Sequence, residues 1–225
     1  MPSQLPFIDL IPAHERAAFA ARVLAIAARL GLPPVWLMAL MHTETAGTMR
    51  PNQYNLAGSG AVGLLQFTRQ TAQWLGTSTA QLAAMGHTQQ LHYVEAYLMR
   101  MQKTVGRPSD YASLYMMVFY PAASNKGSHW VFPDWVYPQN KGLDLDQNGQ
   151  ITKGEFAQWV YSKVPPGILN QVINPNSPDQ QGGQPGGVPA SKTRQIAKII
   201  TALVLLAVLA AAVAAIVKSA RSRAK

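Results

Sequence analysis

The chain contains no cysteine, and only 13% of its 225 residues are charged. The lack of cysteine excludes disulfide bonds and leaves the redox compartment of the protein undetermined. Its five histidines are scattered, without the H-E-x-x-H spacing of a metalloprotease. The formal net charge is +9, but seven of the basic residues follow residue 191, so residues 1–191 carry a net charge of only +2. Without a basic cluster in this larger part, the sequence does not indicate nucleic-acid binding.

Alternation of apolar and polar residues, the pattern of a half-buried β-strand, is also missing. The periodicity instead predicts helices, most of which begin at a proline or threonine and end just before a glycine. The predicted helices cover residues 14–30, 34–46, 68–75, 79–85, 88–105, 111–120 and 153–164. The sequence therefore predicts an all-α fold, in which about 170 residues form one helical domain large enough for its own core.

Glu44 ends an almost unbroken apolar stretch in the predicted helix 34–46. In the last turn of a helix the negative end of the macrodipole disfavours ionisation of a carboxyl, and the neighbouring Trp36, Leu40 and Met41 favour poor solvation. Both effects raise the pKa, so the carboxyl could donate a proton to the leaving oxygen of a glycosidic bond. A surface glutamate at a frayed helix end is the simpler interpretation when Glu44 is considered alone.

A second pattern, downstream of Glu44, favours the catalytic interpretation. Five elements follow one another in the order Glu44-Thr45, Pro51, Gly60-Ala61-x-Gly63-Leu64-x-Gln66, Thr71-Ala72 and Leu75-Gly76. Over roughly residues 20–125 this order resembles the lytic transglycosylases of the lysozyme superfamily, which carry E-S, G-A-x-G-L-M-Q and T-A-x-x-L-G. The chain departs from the family pattern in having Thr45 for serine, Leu65 for methionine and a longer connection between Glu44 and Gly60.

The resemblance implies a lysozyme-like, mostly helical fold in which Glu44 is the catalytic residue, acting as general acid and base. It also implies that the glycine turn lies beside the acid and that Gln66 helps to bind N-acetyl sugars. Gly60 and Gly63 lack side chains, so a sugar ring could approach the main chain closely, and Gln66 offers both a donor and an acceptor. Without Glu44 upstream, the two glycines would indicate a simple turn.

The predicted helix 111–120 ends at Tyr120, which is followed by Pro121 and Ala122. In the family the corresponding helix ends in Y-N-A-G, and its tyrosine borders the catalytic acid. By this resemblance, Tyr120 is the first choice for that substrate-binding place and Tyr115 is the second. Tyr115 is more simply interpreted as an aromatic residue of the core.

Acidic residues are few in the first 140 positions: Asp9, Glu15, Glu44, Glu95, Asp110 and Asp134. A glycosidase of the common type needs a second carboxylate. By resemblance, a lytic transglycosylase needs one glutamate to cleave the β-1,4 bond between N-acetylmuramic acid and N-acetylglucosamine in peptidoglycan and to close a 1,6-anhydro ring. Because Glu95 or Asp110 could fold back into the cleft, a goose-type lysozyme hydrolase is an alternative. A non-catalytic, membrane-anchored virion or envelope protein with a glycan-binding lysozyme-like domain is another.

A calcium-loop pattern spans residues 144–155. It reads Asp144-x-Asp146-x-Asn148-Gly149-Gln150-Ile151-Thr152-x-x-Glu155, which fits the twelve-residue loop of an EF-hand. The oxygen ligands would be Asp144, Asp146, Asn148, the carbonyl of Gln150, Thr152 and Glu155. The segment before the loop contains too many prolines for a regular entering helix, so the loop is EF-hand-like and unpaired. We expect it to bind structural Ca²⁺ weakly, with a Kd of ~10⁻⁴ M, and we expect no organic cofactor.

The composition changes twice in the last quarter of the chain. Residues 172–191 are rich in glycine and proline, which is typical of a flexible linker. Residues 199–217 form a segment of nineteen residues with one polar residue, and this segment is long enough to span a bilayer. Basic residues, which suit lipid phosphates, flank it on both sides. The predicted organisation is therefore a lysozyme-like transglycosylase domain at 1–140, the EF-hand-like loop and its exiting helix at 141–171, a linker at 172–191 and a transmembrane anchor at 192–225.

The first eleven residues have neither a basic start nor a long apolar run, so a signal peptide is not predicted. A wall-cutting enzyme without an export signal needs another route, and delivery within a membrane-containing phage virion supplies one. We therefore expect a single-pass membrane protein of such a virion, with a bacterial inner-membrane protein as the alternative. Its expected partners are peptidoglycan glycan strands, the lipid membrane and other virion proteins.

Overall fold

The computed structural model describes residues 4–55, 58–171 and 173. This part of the chain contains eight α-helices: α1 Ala13–Leu30, α2 Pro34–Glu44, α3 Arg69–Trp74, α4 Thr79–Ala83, α5 His87–Val105, α6 Tyr111–Phe119, α7 Tyr137–Asn140 and α8 Lys153–Ser162. Short 3₁₀ turns lie at Ile8–Leu10, Pro121–Ala123, Asp134–Val136, Lys141–Leu143 and Ile168–Asn170. Pairing of β type within these residues is limited to isolated bridges. The predicted mostly helical fold is confirmed.

The seven predicted helices all form, and their limits agree with the prediction to within two residues. α2 ends two residues early because the Thr45 side chain takes over the hydrogen bonding of the next turn. Its Oγ1 donates to the carbonyl of Met41 at 2.7 Å and accepts from the N–H of Met49 at 2.9 Å. Ala46 and Gly47 then adopt left-handed φ angles of 51° and 83°, which turn the chain away from the helix.

Two helices form the centre of the fold. α6 is buried at all nine of its positions, and α2 is buried at eight of eleven. A helix that is apolar on every side belongs in the interior of a protein. α2 lies against α1, α6 and the turn Ile168–Asn170, and α6 lies against α5 and α8 as well. Glu44, as the last residue of α2, is therefore carried into the core.

The segment between α6 and α8 is irregular, as its prolines predicted. It consists of short turns and the four-residue helix α7, which lead into the loop at residues 144–155. The N–H of Phe132 donates to the carbonyl of Ile151 at 2.8 Å, and Val131 forms an antiparallel bridge with Thr152. The second half of the loop is thereby paired with an extended stretch of the same chain.

The predicted linker and transmembrane anchor lie outside the described residues, except for Ile173, which packs against the core. Within the described ranges, no single helix is long and apolar enough to cross a membrane. α1 and α2 would meet that criterion only together, as a pair bent by 113°. The domain limits and the membrane location therefore stay predictions.

Candidate active site

Glu44 lies at the carboxyl-terminal end of α2 with only 3% of its surface exposed. Burial raises the pKa of its carboxyl from the usual 4.5 to about 7, while the nearby Tyr115 hydroxyl acts in the opposite direction and more weakly. Neither carboxyl oxygen has a hydrogen-bond partner of normal geometry among the described residues. The carboxyl is thus poorly solvated and holds its proton close to neutral pH, as its apolar neighbours predicted.

Three tyrosines interact electrostatically with this carboxyl. Tyr97 comes from α5, and Tyr111 and Tyr115 come from α6. Burial raises the pKa of each phenol, and the Glu44 carboxyl raises it further. The Tyr115 hydroxyl acts on the carboxyl as a donor, yet the contact is loose, because it falls short of normal hydrogen-bond geometry. Loose contacts of this kind in a free enzyme commonly tighten when substrate binds.

Tyr120 lies elsewhere. Its ring packs against Trp130, Phe132 and Trp135, at centroid distances of 5.8, 5.5 and 6.0 Å. Tyr115, buried within α6, is the one of these two tyrosines that interacts with the Glu44 carboxyl. The reason is helical geometry, since Tyr115 faces α2 from the middle of α6, whereas Tyr120 follows the last turn and leaves the helix axis. A role for Tyr120 in substrate binding stays a prediction.

No second carboxylate joins Glu44 in the described part of the chain. Glu95 is held between α1 and α5 by two arginines of α1, at 2.9 and 2.5 Å. Asp110 caps α6, because its carboxylate accepts a hydrogen bond of 2.7 Å from the N–H of Ser113. Neither carboxylate contributes to the raised pKa of Glu44. The two acidic residues that the sequence left open as partners of Glu44 are engaged in structural contacts instead.

The glycine turn is closed by hydrogen bonds of 3.1 and 2.8 Å that run in both directions between Val62 and Phe67. Gly60 and Gly63 both have left-handed φ angles, of 73° and 89°. At Gly60 no described residue enters the space that a side chain would take, but at Gly63 the side chain of Gln90 fills it. We expected that a sugar ring could approach the main chain closely at both glycines. There is room for this at Gly60 but not at Gly63, where the lack of a side chain serves internal packing.

Gln90 holds the glycine turn to the rest of the domain from a fully buried position on α5. Its Oε1 accepts a hydrogen bond of 2.9 Å from the N–H of Leu64. Its Nε2 donates to the carbonyls of Leu82, at 2.7 Å, and Pro51. One amide side chain thus links three separate segments, and its removal would leave buried backbone groups without partners.

Gln66 is buried and has a left-handed φ of 46°. Its Nε2 donates to the carbonyls of Gln53 and Gly63, at 3.1 and 3.0 Å, so the amide stabilises its own turn. Gln66 also lines a cavity of 10 Å³ together with Tyr97, one of the tyrosines that interact with Glu44. A role for Gln66 in binding N-acetyl sugars stays a prediction.

A larger cavity, of about 810 Å³, lies between α1, residues 48–52 and the start of α5. Its lining includes Glu15 and His87, which are 3.1 Å apart, and none of the predicted site residues. Glu15 is already engaged, as a hydrogen-bond partner of His87 and of the first turn of α5.

The loop at residues 144–155 brings three carboxylates together. Oxygens of Asp144, Asp146 and Glu155 lie within 4.8 Å of one another. The Tyr137 hydroxyl, which donates to Asp144 at 2.7 Å, and N–H groups of the loop lower the pKa of that carboxylate. Converging ionised carboxylates are the ligand type that Ca²⁺ prefers.

The remaining predicted ligands lie in the same loop. Asn148 Oδ1 accepts a hydrogen bond of 2.8 Å from the N–H of Gln150. Thr152 caps α8, and both its N–H and its hydroxyl donate to Glu155 at 2.8 Å. Glu155, the last predicted ligand, is thus held at the start of α8 by a reciprocal capping arrangement.

Sequence reasoning missed Tyr97, Tyr111 and Gln90. All three follow the apolar spacing of a buried helix face, which marks them as core residues and not as neighbours of Glu44. Their contacts with the acid and the turn join segments far apart in the chain, and no local pattern reports such contacts.

Comparison with known families agrees with this geometry. Residues 23–118 match the transglycosylase SLT domain. The match covers Glu44, the glycine turn and the tyrosines of α5 and α6, and it supports placing this region in the lytic transglycosylase superfamily. An SLT domain implies cleavage of glycosidic bonds and binding of peptidoglycan glycan strands. No curated protein and no solved structure matches the chain.

Proposed function

We propose that the protein cleaves the β-1,4 bond between N-acetylmuramic acid and N-acetylglucosamine in peptidoglycan, with Glu44 as general acid and then general base. The observation that carries the proposal is the buried carboxyl of Glu44, with a pKa of about 7, inside a region that matches the SLT domain. A carboxyl with this pKa is about half protonated at neutral pH, so it can both give and take a proton there.

The proposed reaction uses one carboxyl twice. Protonated Glu44 donates its proton to the glycosidic oxygen, and the acetamido group of the substrate assists departure of the leaving sugar. The Glu44 carboxylate then accepts the proton of the C6 hydroxyl, whose oxygen closes the 1,6-anhydro ring. Tyr115 would stabilise the carboxylate between these steps, because its interaction with Glu44 favours the ionised form. The engagement of Glu95 and Asp110 elsewhere favours this route over that of a goose-type hydrolase, which needs a second carboxylate.

Mass spectrometry of the released muropeptides tests the proposal. We expect 1,6-anhydro ends from the wild-type protein, no release from Glu44→Gln, and normal release from the control Asp134→Asn, which changes an exposed carboxylate. Reducing ends would indicate a goose-type hydrolase. Full release by Glu44→Gln would remove the proposed role of Glu44, and glycan binding without release by the wild-type protein would indicate the non-catalytic alternative.

We also propose that the loop at residues 144–155 holds a structural Ca²⁺. The convergence of three carboxylates and the left-handed Gly149, with a φ of 86°, support the fit. Asp144, Asp146, Asn148, the Gln150 carbonyl, Thr152 and Glu155 would be the ligands. A bound ion would offset two of the three negative charges of the carboxylates and tie α7 to α8, and the catalytic steps would not involve it.

The location of the protein is proposed from the sequence alone. The apolar segment 199–217 would anchor the protein in the membrane of a phage virion, where the enzyme could open the wall for genome entry or lysis. Flotation with liposomes tests the anchor. The full chain should float and a chain ending at residue 191 should not, while flotation of both would place membrane binding elsewhere in the chain.

A further inference from the structure

α8 lies outside residues 23–118, yet it packs directly on α6, the helix that carries Tyr115. The rings of Phe156 and Trp159 meet the Tyr115 ring at centroid distances of 5.9 and 6.4 Å. The interplanar angles are 68° and 88°, which is the edge-to-face geometry that aromatic rings favour. Two rings of α8 thus form a wall behind the tyrosine whose hydroxyl acts on Glu44.

This aromatic wall leaves Tyr115 little freedom to turn. Tyr115 is 3% exposed, and Phe156 and Trp159 are 0% and 6% exposed. Interiors are packed as densely as organic crystals, so a ring enclosed in this way keeps one orientation. In this orientation the hydroxyl interacts with the Glu44 carboxyl, on the neighbouring helix α2.

α8 is itself held firmly at its first turn. Lys153 Nζ donates to the carbonyls of Ser124 and Lys126, each at 2.7 Å. The N–H of Gly154 donates to the carbonyl of Ser128 at 2.8 Å. These contacts join α8 to the segment that follows α6, so the two helices keep a fixed relation to each other.

The surroundings of Glu44 leave few other groups that could tune it. The titratable groups that interact with it are Tyr97 on α5 and Tyr111 and Tyr115 on α6. The turn Ile168–Asn170, which also lies against α2, carries no ionisable side chain. Of the three tyrosines, Tyr115 is the one whose hydroxyl acts on the Glu44 carboxyl as a donor.

We propose that Phe156 and Trp159 are positioning residues of the active site, which act by holding the Tyr115 hydroxyl against the Glu44 carboxyl. The inference rests on the proposed function, in which Glu44 is the catalytic acid. It makes α8 part of the catalytic unit, although α8 lies beyond the matched SLT region. A chain truncated before α8 would keep the acid and lose the support of its tyrosine.

The test is a ¹³C NMR titration of the Glu44 carboxyl in the full chain. Selective labelling of glutamate gives four side-chain carboxyl signals, and Glu44→Gln assigns the relevant one. Tyr115→Phe should raise the pKa of Glu44, because it removes the interaction that favours the ionised form. Trp159→Ala should raise it in the same direction, because an apolar gap stays dry and lets the Tyr115 ring turn into it.

The double variant Tyr115→Phe/Trp159→Ala provides the decisive comparison. We expect it to titrate like Tyr115→Phe alone, because Trp159 acts through Tyr115. Trp159→Phe, which keeps a ring, should titrate close to wild type. Val160→Ala is the matched control, since it removes buried volume from the same helix and keeps both rings of the aromatic wall, and it should leave the pKa unchanged.

Three results would overturn the inference. They are an unchanged pKa of Glu44 in Trp159→Ala, a lowered pKa, which would mean that water enters, or an equal shift of the pKa with and without Tyr115. If Trp159→Ala fails to fold, Trp159→Leu keeps apolar volume without an aromatic edge and carries the same expectation. The titration does not depend on turnover, so it is separate from the muropeptide assay. Muropeptide release by Glu44→Gln would refute the proposed function, whereas the titration decides the role of the aromatic wall.

Discussion

The side chain of Gln90 occupies the space in which Gly63 would otherwise carry a Cβ. Gly63→Ala must therefore displace a buried amide and also strain a φ of 89°. We expect it to lower the free energy of unfolding by more than Gly60→Ala does. At Gly60 the φ of 73° is strained in the same way, at ~1–2 kcal/mol, but no atom of the described part of the chain lies within 4 Å of the added carbon. Urea denaturation of both variants measures the difference. Equal losses would show that Gln90 moves aside freely.

The carboxyl of Glu44 should make stability depend on pH. Because burial raises its pKa from 4.5 to about 7, the folded state binds the proton more strongly than the unfolded chain. The contribution of Glu44 is fully present below pH 4.5 and is lost as pH rises through about 7, and it amounts to roughly 3 kcal/mol. Glu44→Gln removes this dependence, so the stability of the variant relative to wild type should increase between pH 4 and pH 8.

Subtraction of the two stability profiles is needed because His42 titrates in an overlapping range. Burial lowers its pKa to about 4, and its ring stacks on Phe7 at 3.7 Å. The stability that neutral His42 contributes is present above about pH 6.5 and is lost as pH falls through about 4. This term is common to wild type and Glu44→Gln and cancels in the difference. A difference that stays flat with pH would mean that Glu44 has an ordinary pKa.

Activity should fall on the alkaline side as Glu44 loses its proton, with an apparent pKa near 7. Tyr115→Phe should move this alkaline fall in activity to higher pH, because the hydroxyl of Tyr115 lowers the pKa of Glu44. It should also slow turnover about tenfold or more, because a donor to the charged form is lost. Initial rates of wall-fragment release between pH 5 and 9 give both quantities. Tyr93→Phe is the control, since the Tyr93 ring contacts only His92 among described aromatic partners. The activity of this variant should fall at the same pH as that of the wild type.

Calcium should stabilise the protein through the loop at residues 144–155. With a Kd of ~10⁻⁴ M, 10 mM Ca²⁺ would add about 2.7 kcal/mol to the free energy of unfolding and raise the Tm by about 5–10 °C. Asp144→Asn should lose most of this response, and Asp134→Asn, which removes an exposed carboxylate outside the loop, should keep it. Calorimetry with calcium and with chelator measures both. An equal Tm in the two conditions would argue against a calcium site.

The sequence predicted the helices and the buried acid because both follow from local chemistry. A proline start, a glycine after the last turn and an apolar stretch before Glu44 place that residue at the dry end of a helix. The sequence could not decide between Tyr115 and Tyr120, for the opposite reason. The choice depends on which face of α6 meets α2, and that is set by packing among helices distant in sequence. The packing of the Gln90 side chain against Gly63 could not be predicted either, since a glycine pattern does not distinguish a substrate contact from a tight fit against another helix.

The pairing of Phe132 with Ile151 has a consequence for assembly. An extended segment with free N–H and C=O groups invites pairing with a second molecule. Here the Ile151 carbonyl already accepts the N–H of Phe132, at 2.8 Å, from within the same chain. This carbonyl is therefore not free to pair with a second copy, and we expect the response of the loop to metal to be the same in dilute and in concentrated protein solutions.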